Sequence, residues 1–114
     1  MLDPITRKLA QGANYAALTT LFPNGNPQTQ VMWVDADEKY LYMNTEIHRE
    51  KYKNIENDSR VSILIWKNDD PFKYVEVRGN VESTYGGKKA RDHIDKLSEK
   101  YFKRSYPFTV QTER

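Results

Sequence analysis

The chain has 114 residues, of which 38% are hydrophobic, 12% aromatic and 30% charged; that suffices for one domain and is too short for two independent cores. Eighteen Lys and Arg against 16 Asp and Glu leave a net charge of +2 with the signs interspersed, which argues against a nucleic-acid partner. The lack of cysteine excludes disulfide scaffolds, thiolate zinc sites and thiol nucleophiles. No run approaches the ~20 apolar residues of a membrane span and no basic-then-apolar leader opens the chain, so a single cytoplasmic domain over residues 1–114 with no membrane partner is expected.

At the start, Asp3 can cap a helix, Pro4 suits its first position, Ile5 and Leu9 lie one turn apart, and Gly12 can end it. Asn14 to Leu21 reads as a strand, and Pro23-Asn24-Gly25-Asn26-Pro27 as a hairpin turn into a return strand, Gln28 to Val34. Asp35 to Lys39 turns the chain again into Tyr40-Leu41-Tyr42-Met43, which predicts a three-stranded meander. Asn44 to Asp58 is polar, with Tyr52 and Ile55 three apart, and reads as a loop running into a short helix.

Val61 to Trp66 carries apolar residues on both faces and should be a central strand, with Trp66 in the core or at an interface. A turn at Asn68-Asp69-Asp70-Pro71 leads into Tyr74 to Glu82, where Val75, Val77 and Val81 alternate with polar residues. Gly79 falls on the apolar side, which suits a bulge or a close backbone approach. Gly86-Gly87 breaks this strand before a helix from about Lys88 to Lys103, with Ala90, Ile94, Leu97 and Tyr101 as its apolar stripe. The tail, Ser105 to Arg114, could begin one more strand. So many antiparallel strands in so short a chain suggest a small barrel, because closure removes exposed edges.

No catalytic constellation is visible. His48 and His93 are far apart and in no metal-ligand spacing, the serines sit in no nucleophile elbow, and no glycine-rich phosphate loop occurs. If the protein is an enzyme, a cofactor supplies the reactive atoms. Three segments could hold one. In Asn44 to Asn54, Arg49 can grip a phosphate bidentately and Lys51 adds a point charge, beside the free amides of a helix start. Inside one helix these two residues would lie about 200° apart, so they converge only if the helix begins near Glu50. A solvated charged face, balanced by Glu46 and Glu50, explains the same charge run, and on pattern alone it is the favoured reading. Gln30 to Val34 could form a wall for a planar ring, although core packing suits Met32 and Trp33 better on pattern alone. Phe72, Lys73 and Tyr74 set two aromatics around a lysine at a turn, for which a surface turn with aromatic anchors is the favoured reading on pattern alone.

Taken in order, these segments resemble the flavin-binding split barrels related to pyridoxamine 5′-phosphate oxidase, and among them the small group assigned to the deazaflavin coenzyme F420. The similar stretches are Ala17 to Thr20 with Pro23 to Pro27, Val31 to Asp35, Asn44-Thr45 with Arg49, Lys51, Asn54 and Ile55, Asp58 to Val61, and Asp69 to Val81. The resemblance implies a mainly β fold, a six-stranded antiparallel Greek-key split barrel, acting as a homodimer with cofactor sites at the interface. It implies that Arg49 and Lys51 hold the cofactor phosphate beside Asn44 and Thr45. Val31, Met32 and Trp33 would line the ring, and Phe72, Lys73 and Tyr74 would approach from the partner subunit. Lys53 and Gln30 match less well. The implied activity is hydride transfer from reduced F420 to a small electron-poor acceptor. FMN is the alternative cofactor, and a non-catalytic flavin- or tetrapyrrole-binding protein the alternative role. No residue is assigned to catalysis. The family commonly adds a strand after its long helix, which places the start of such a strand at Gln111 to Arg114.

Overall fold

The computed structural model describes residues 2–45 and 49–103. Nine elements follow in order: α1 (Pro4–Gln11), β1 (Tyr15–Leu21), β2 (Pro27–Trp33), β3 (Asp35–Ala36), β4 (Leu41–Tyr42), α2 (Glu50–Asn57), β5 (Arg60–Lys67), β6 (Asp70–Asn80) and α3 (Gly87–Phe102). Four strands make an antiparallel sheet in the order β2-β1-β5-β6, and β3 pairs with β4 as a separate two-stranded ribbon. The fold is mainly β with three helices. The described residues do not close into the six-stranded barrel that was expected, because no ladder joins the two sheets.

The β1–β2 hairpin forms where Gly25 takes φ +89°, a conformation that glycine adopts without steric cost. The expected meander does not continue past β2. Val34 is fully buried, yet its N–H donates to the Tyr101 hydroxyl and its carbonyl accepts from the Lys100 ammonium. With both backbone groups taken by α3, Val34 cannot extend the ladder, and the strand breaks into β2 and β3. Asp35-Ala36, expected as part of a turn, thus pairs with Leu41-Tyr42. The tight turn between them is held by the Asp37 carboxylate, which accepts from the Lys39 and Tyr40 amides at 2.7 Å each.

The central position of β5 holds: it lies between β1 and β6. Its hairpin with β6 is tighter than expected, with Lys67 opposite Asp70 and a register shift at Trp66/Lys67. Pro71, Phe72 and Lys73 therefore belong to the edge strand and not to a turn. No bulge falls at Gly79, and a Cβ there would meet nothing within 4 Å, so neither expected reason for that glycine applies.

One face of the four-stranded sheet is the core. Ala16, Ile63 and Ile65 pack with Val34, Ala36 and Ala10, and Leu18 and Val75 close around them. In α1, Asp3 caps as expected, its carboxylate accepting from the Ile5 and Thr6 amides at 3.1 Å. The buried side is Thr6 and Ala10, however, and Ile5 is 66% exposed. The small residues face inward because α1 packs closely on β3 and β5. In α3 the stripe Ala90, Ile94, Leu97 is buried as read, with Tyr101 half-buried.

The opposite sheet face carries an aromatic row. Register places Trp33, Tyr15, Trp66 and Tyr74 side by side across all four strands. Trp33 stacks on Tyr101 at 5.0 Å and meets Phe102 edge-on, so the end of α3 covers this corner. Val31, Phe72 and Tyr74 on the edge strands remain 67%, 88% and 59% exposed. The strand read at Ser105 to Arg114 lies outside the described residues.

Candidate functional site

Between the core face of the sheet, the β3–β4 ribbon and α2 lies an open cavity of about 500 Å³. Its walls are aliphatic, with Leu18, Ile63 and Val77 from the sheet, Leu41 and Met43 from the ribbon and Ile55 from α2. Its polar lining includes Asn44, Thr45, Lys51, Tyr85, Lys89 and His93.

Helix α2 begins at Glu50 with Arg49 as its N-cap, the boundary at which Arg49 and Lys51 leave the common-helix geometry that would hold them apart. Arg49 has extended backbone and its carbonyl accepts from the Tyr52 and Lys53 amides at 3.1 and 3.3 Å. Among the described residues no side-chain hydrogen bond caps the helix; a helix start carries backbone donors and the positive end of the dipole. Lys51 is half-buried and its ammonium donates to the Gln30 side-chain carbonyl at 2.8 Å. Asn54 is 1% exposed and donates to Thr20 Oγ1 at 3.0 Å and Gln28 Oε1 at 3.3 Å, while its own Oδ1 has no hydrogen-bond partner.

Of the residues expected at a cofactor site, Met32, Asn44, Thr45 and Lys51 line this one cavity. Val31 and Trp33 do not, because strand alternation turns them to the outer face while Met32 points inward. Phe72, Lys73 and Tyr74 sit exposed on edge strand β6, outside the cavity. Arg49 is exposed at the start of α2 and does not line the cavity.

Residues not singled out for this site also belong to it. Asn44 donates to the Ala90 carbonyl at 2.7 Å, and the same amide nitrogen lies 3.3 Å from His93 Nδ1. Because the amide nitrogen can only donate, Nδ1 accepts and the neutral imidazole carries its proton on Nε2. Burial holds the His93 pKa below its ordinary value, which favours that neutral form. The signal was present, since His93 neighbours the stripe Ala90–Ile94–Leu97. Tyr42 lines the wall with its hydroxyl on Asp37 at 2.6 Å; that bond pushes the phenol up to about 12 and holds the carboxyl down at about 2. Among the described residues no group of three His, Cys, Asp or Glu could hold a metal ion, and no helix is long and apolar enough to cross a membrane.

An antiparallel sheet with a two-stranded ribbon and a cavity beside the start of α2 defines a small, mainly β domain. The family model for pyridoxamine 5′-phosphate oxidase matches residues 2–114, and the chain belongs to that family. A solved structure named F420 reductase is 29% identical, covering 96% of this chain and 82% of its own, with a TM-score of 0.77. General Stress Protein 26 from Bacillus anthracis str. Sterne is 26% identical over 67% of this chain and 57% of its own, with a TM-score of 0.57. A pyridoxamine 5′-phosphate oxidase-related, FMN binding protein from Nostoc punctiforme PCC 73102 shares the fold at 16% identity, covering 87% of this chain and 58% of its own, with a TM-score of 0.55. The search of curated proteins returns no match.

Proposed function

We propose that this protein is an oxidoreductase that binds the deazaflavin coenzyme F420 with its phosphate at the start of α2 and reduces a small electron-poor acceptor. The observation that carries this reading is the convergence of Lys51, Asn44, Thr45 and Met32 on one cavity beside the start of α2. Likeness over nearly the whole chain to a protein named F420 reductase supports the choice of cofactor. When bound, reduced F420 supplies a hydride to the acceptor.

The chain's own residues bind and position. The Lys51 ammonium and the first amides of α2 stabilise the phosphate, with Arg49 on the incoming segment as a second cation. Asn44, anchored to α3 through the Ala90 carbonyl, fixes the loop that carries Thr45. Met32 and the aliphatic walls keep water from the ring and strengthen every electrostatic contact within. Catalysis on this reading comes from orientation and a dry wall, with no protein nucleophile. The aromatic outer face of the sheet is where a second copy docks, which would bring the partner's Phe72, Lys73 and Tyr74 towards the cofactor.

The test is a fluorescence titration of F420, with FMN as the competing ligand. Lys51→Ala should weaken F420 binding by about 1.5–3 kcal/mol, the range for hydrogen bonds to charged groups, with the thermal midpoint unchanged. Affinity untouched by Lys51→Ala would end the phosphate assignment. Tight FMN binding with no F420 binding would transfer the reading to FMN, and binding of either without turnover of any acceptor would leave a carrier.

A further inference from the structure

Lys51 has a flexible stem, and something must hold its ammonium at the cavity rim. Strand β2 carries Gln28 and Gln30 on the same side, about 7 Å apart along the strand. Helix α2 lies across them with Lys51 and Asn54 three residues apart, about one turn on one helix face. The pairing runs in opposite directions: Gln30 takes Lys51 and Gln28 takes Asn54. We propose that this pair of glutamines is a rack that sets the roll of α2, and that Gln30 is a positioning residue aiming the Lys51 ammonium at the anion site. The proposal rests on the phosphate reading above.

The chemistry of the acceptor is what makes Gln30 suitable. A neutral amide oxygen orients an ammonium while adding no negative charge beside an incoming phosphate; a carboxylate at the same place would hold Lys51 more tightly and repel the ligand. Asn54 locks the other end of the rack. It is 1% exposed, and its two donated bonds to Thr20 and Gln28 fix its orientation. These lateral bonds contribute to the setting of α2 against the sheet. Gln30 itself is exposed on an edge strand, so exchanging it removes little packing.

The experiment is a set of F420 titrations on the full chain with Gln30→Leu, Gln30→Glu, Lys51→Ala and the double variant Gln30→Leu/Lys51→Ala. Gln30→Leu should weaken binding by up to about 10-fold, part of the rotamer freedom of a lysine, with no further loss when added to Lys51→Ala. Gln30→Glu should bind more weakly than Gln30→Leu at pH 7, because the ammonium beside it keeps the new carboxyl ionised. If Gln30→Leu leaves affinity unchanged, or acts equally in the Lys51→Ala background, the positioning role is wrong although the phosphate reading stands. If Lys51→Ala itself has no effect, both fall.

Discussion

Replacing Tyr101 by Phe tests how α3 holds the sheet together. Its hydroxyl accepts the Val34 N–H at 3.2 Å and donates to the Asn14 carbonyl, joining the start of β1 to the break between β2 and β3. Val34 is fully buried, so without the hydroxyl its N–H is left without that acceptor in a dry site, at a cost of about 1–3 kcal/mol. The lost bond to Asn14 adds about 1 kcal/mol; Asn14 is half-buried and regains part of it from water. The stack on Trp33 at 5.0 Å survives, because Phe keeps the ring. The sum, about 2–4 kcal/mol, is a large share of the roughly 5–15 kcal/mol that holds a domain folded. Urea denaturation followed by tryptophan fluorescence, at fixed protein concentration, should show the midpoint falling by about 1–2 M with the slope unchanged. A loss below about 0.5 kcal/mol would refute the argument, since it would mean that Val34 does not depend on this hydroxyl.

Alkaline pH should destabilise the fold through two phenols. Burial holds Tyr101 up to about 12, and the bond to Asp37 does the same for Tyr42, whereas the ordinary value is 10.0. Between pH 10 and 12 the unfolded chain has released protons that the native state keeps, so stability falls as pH rises; denaturation at pH 9 and 11 checks this, and equal midpoints would count against it. At the acid end, Asp37 sits near 2 against an ordinary 3.8, with its bond from Tyr42 the main cause. Its contribution is therefore present above pH 4 and lost as pH falls towards 2. For the sheet's outer face, the wild type should sediment as a dimer and Val31→Glu as a monomer, Val31 being 67% exposed in the single chain; a monomeric wild type at micromolar concentration would exclude a docking face there.

The sequence by itself determined what depends on neighbours along the chain. Asp3 and Pro4 start α1, Gly25 turns the first hairpin, Gly86-Gly87 opens α3, and Ala90, Ile94 and Leu97 mark the buried stripe of that helix. The start of α2 at Glu50 was legible as a condition, because two residues apart in one helix cannot face one ligand. The tertiary structure decided whatever depends on a distant partner. Lys100 and Tyr101 lie more than 60 residues from Val34, yet they take both of its backbone groups and so break a strand whose local pattern runs on. The roll of α1 onto Thr6 and Ala10 follows from close packing on β3 and β5, which brings Leu9 against the edge of the core and leaves Ile5 exposed. Alternation along β2 then divides Met32 from Val31 and Trp33, giving one to the cavity and two to the outer face. His93 and Gln30 become parts of the site only through their neighbours Asn44 and Lys51. A side-chain hydrogen bond across dozens of residues leaves no period in a sequence; only folding brings its two ends together.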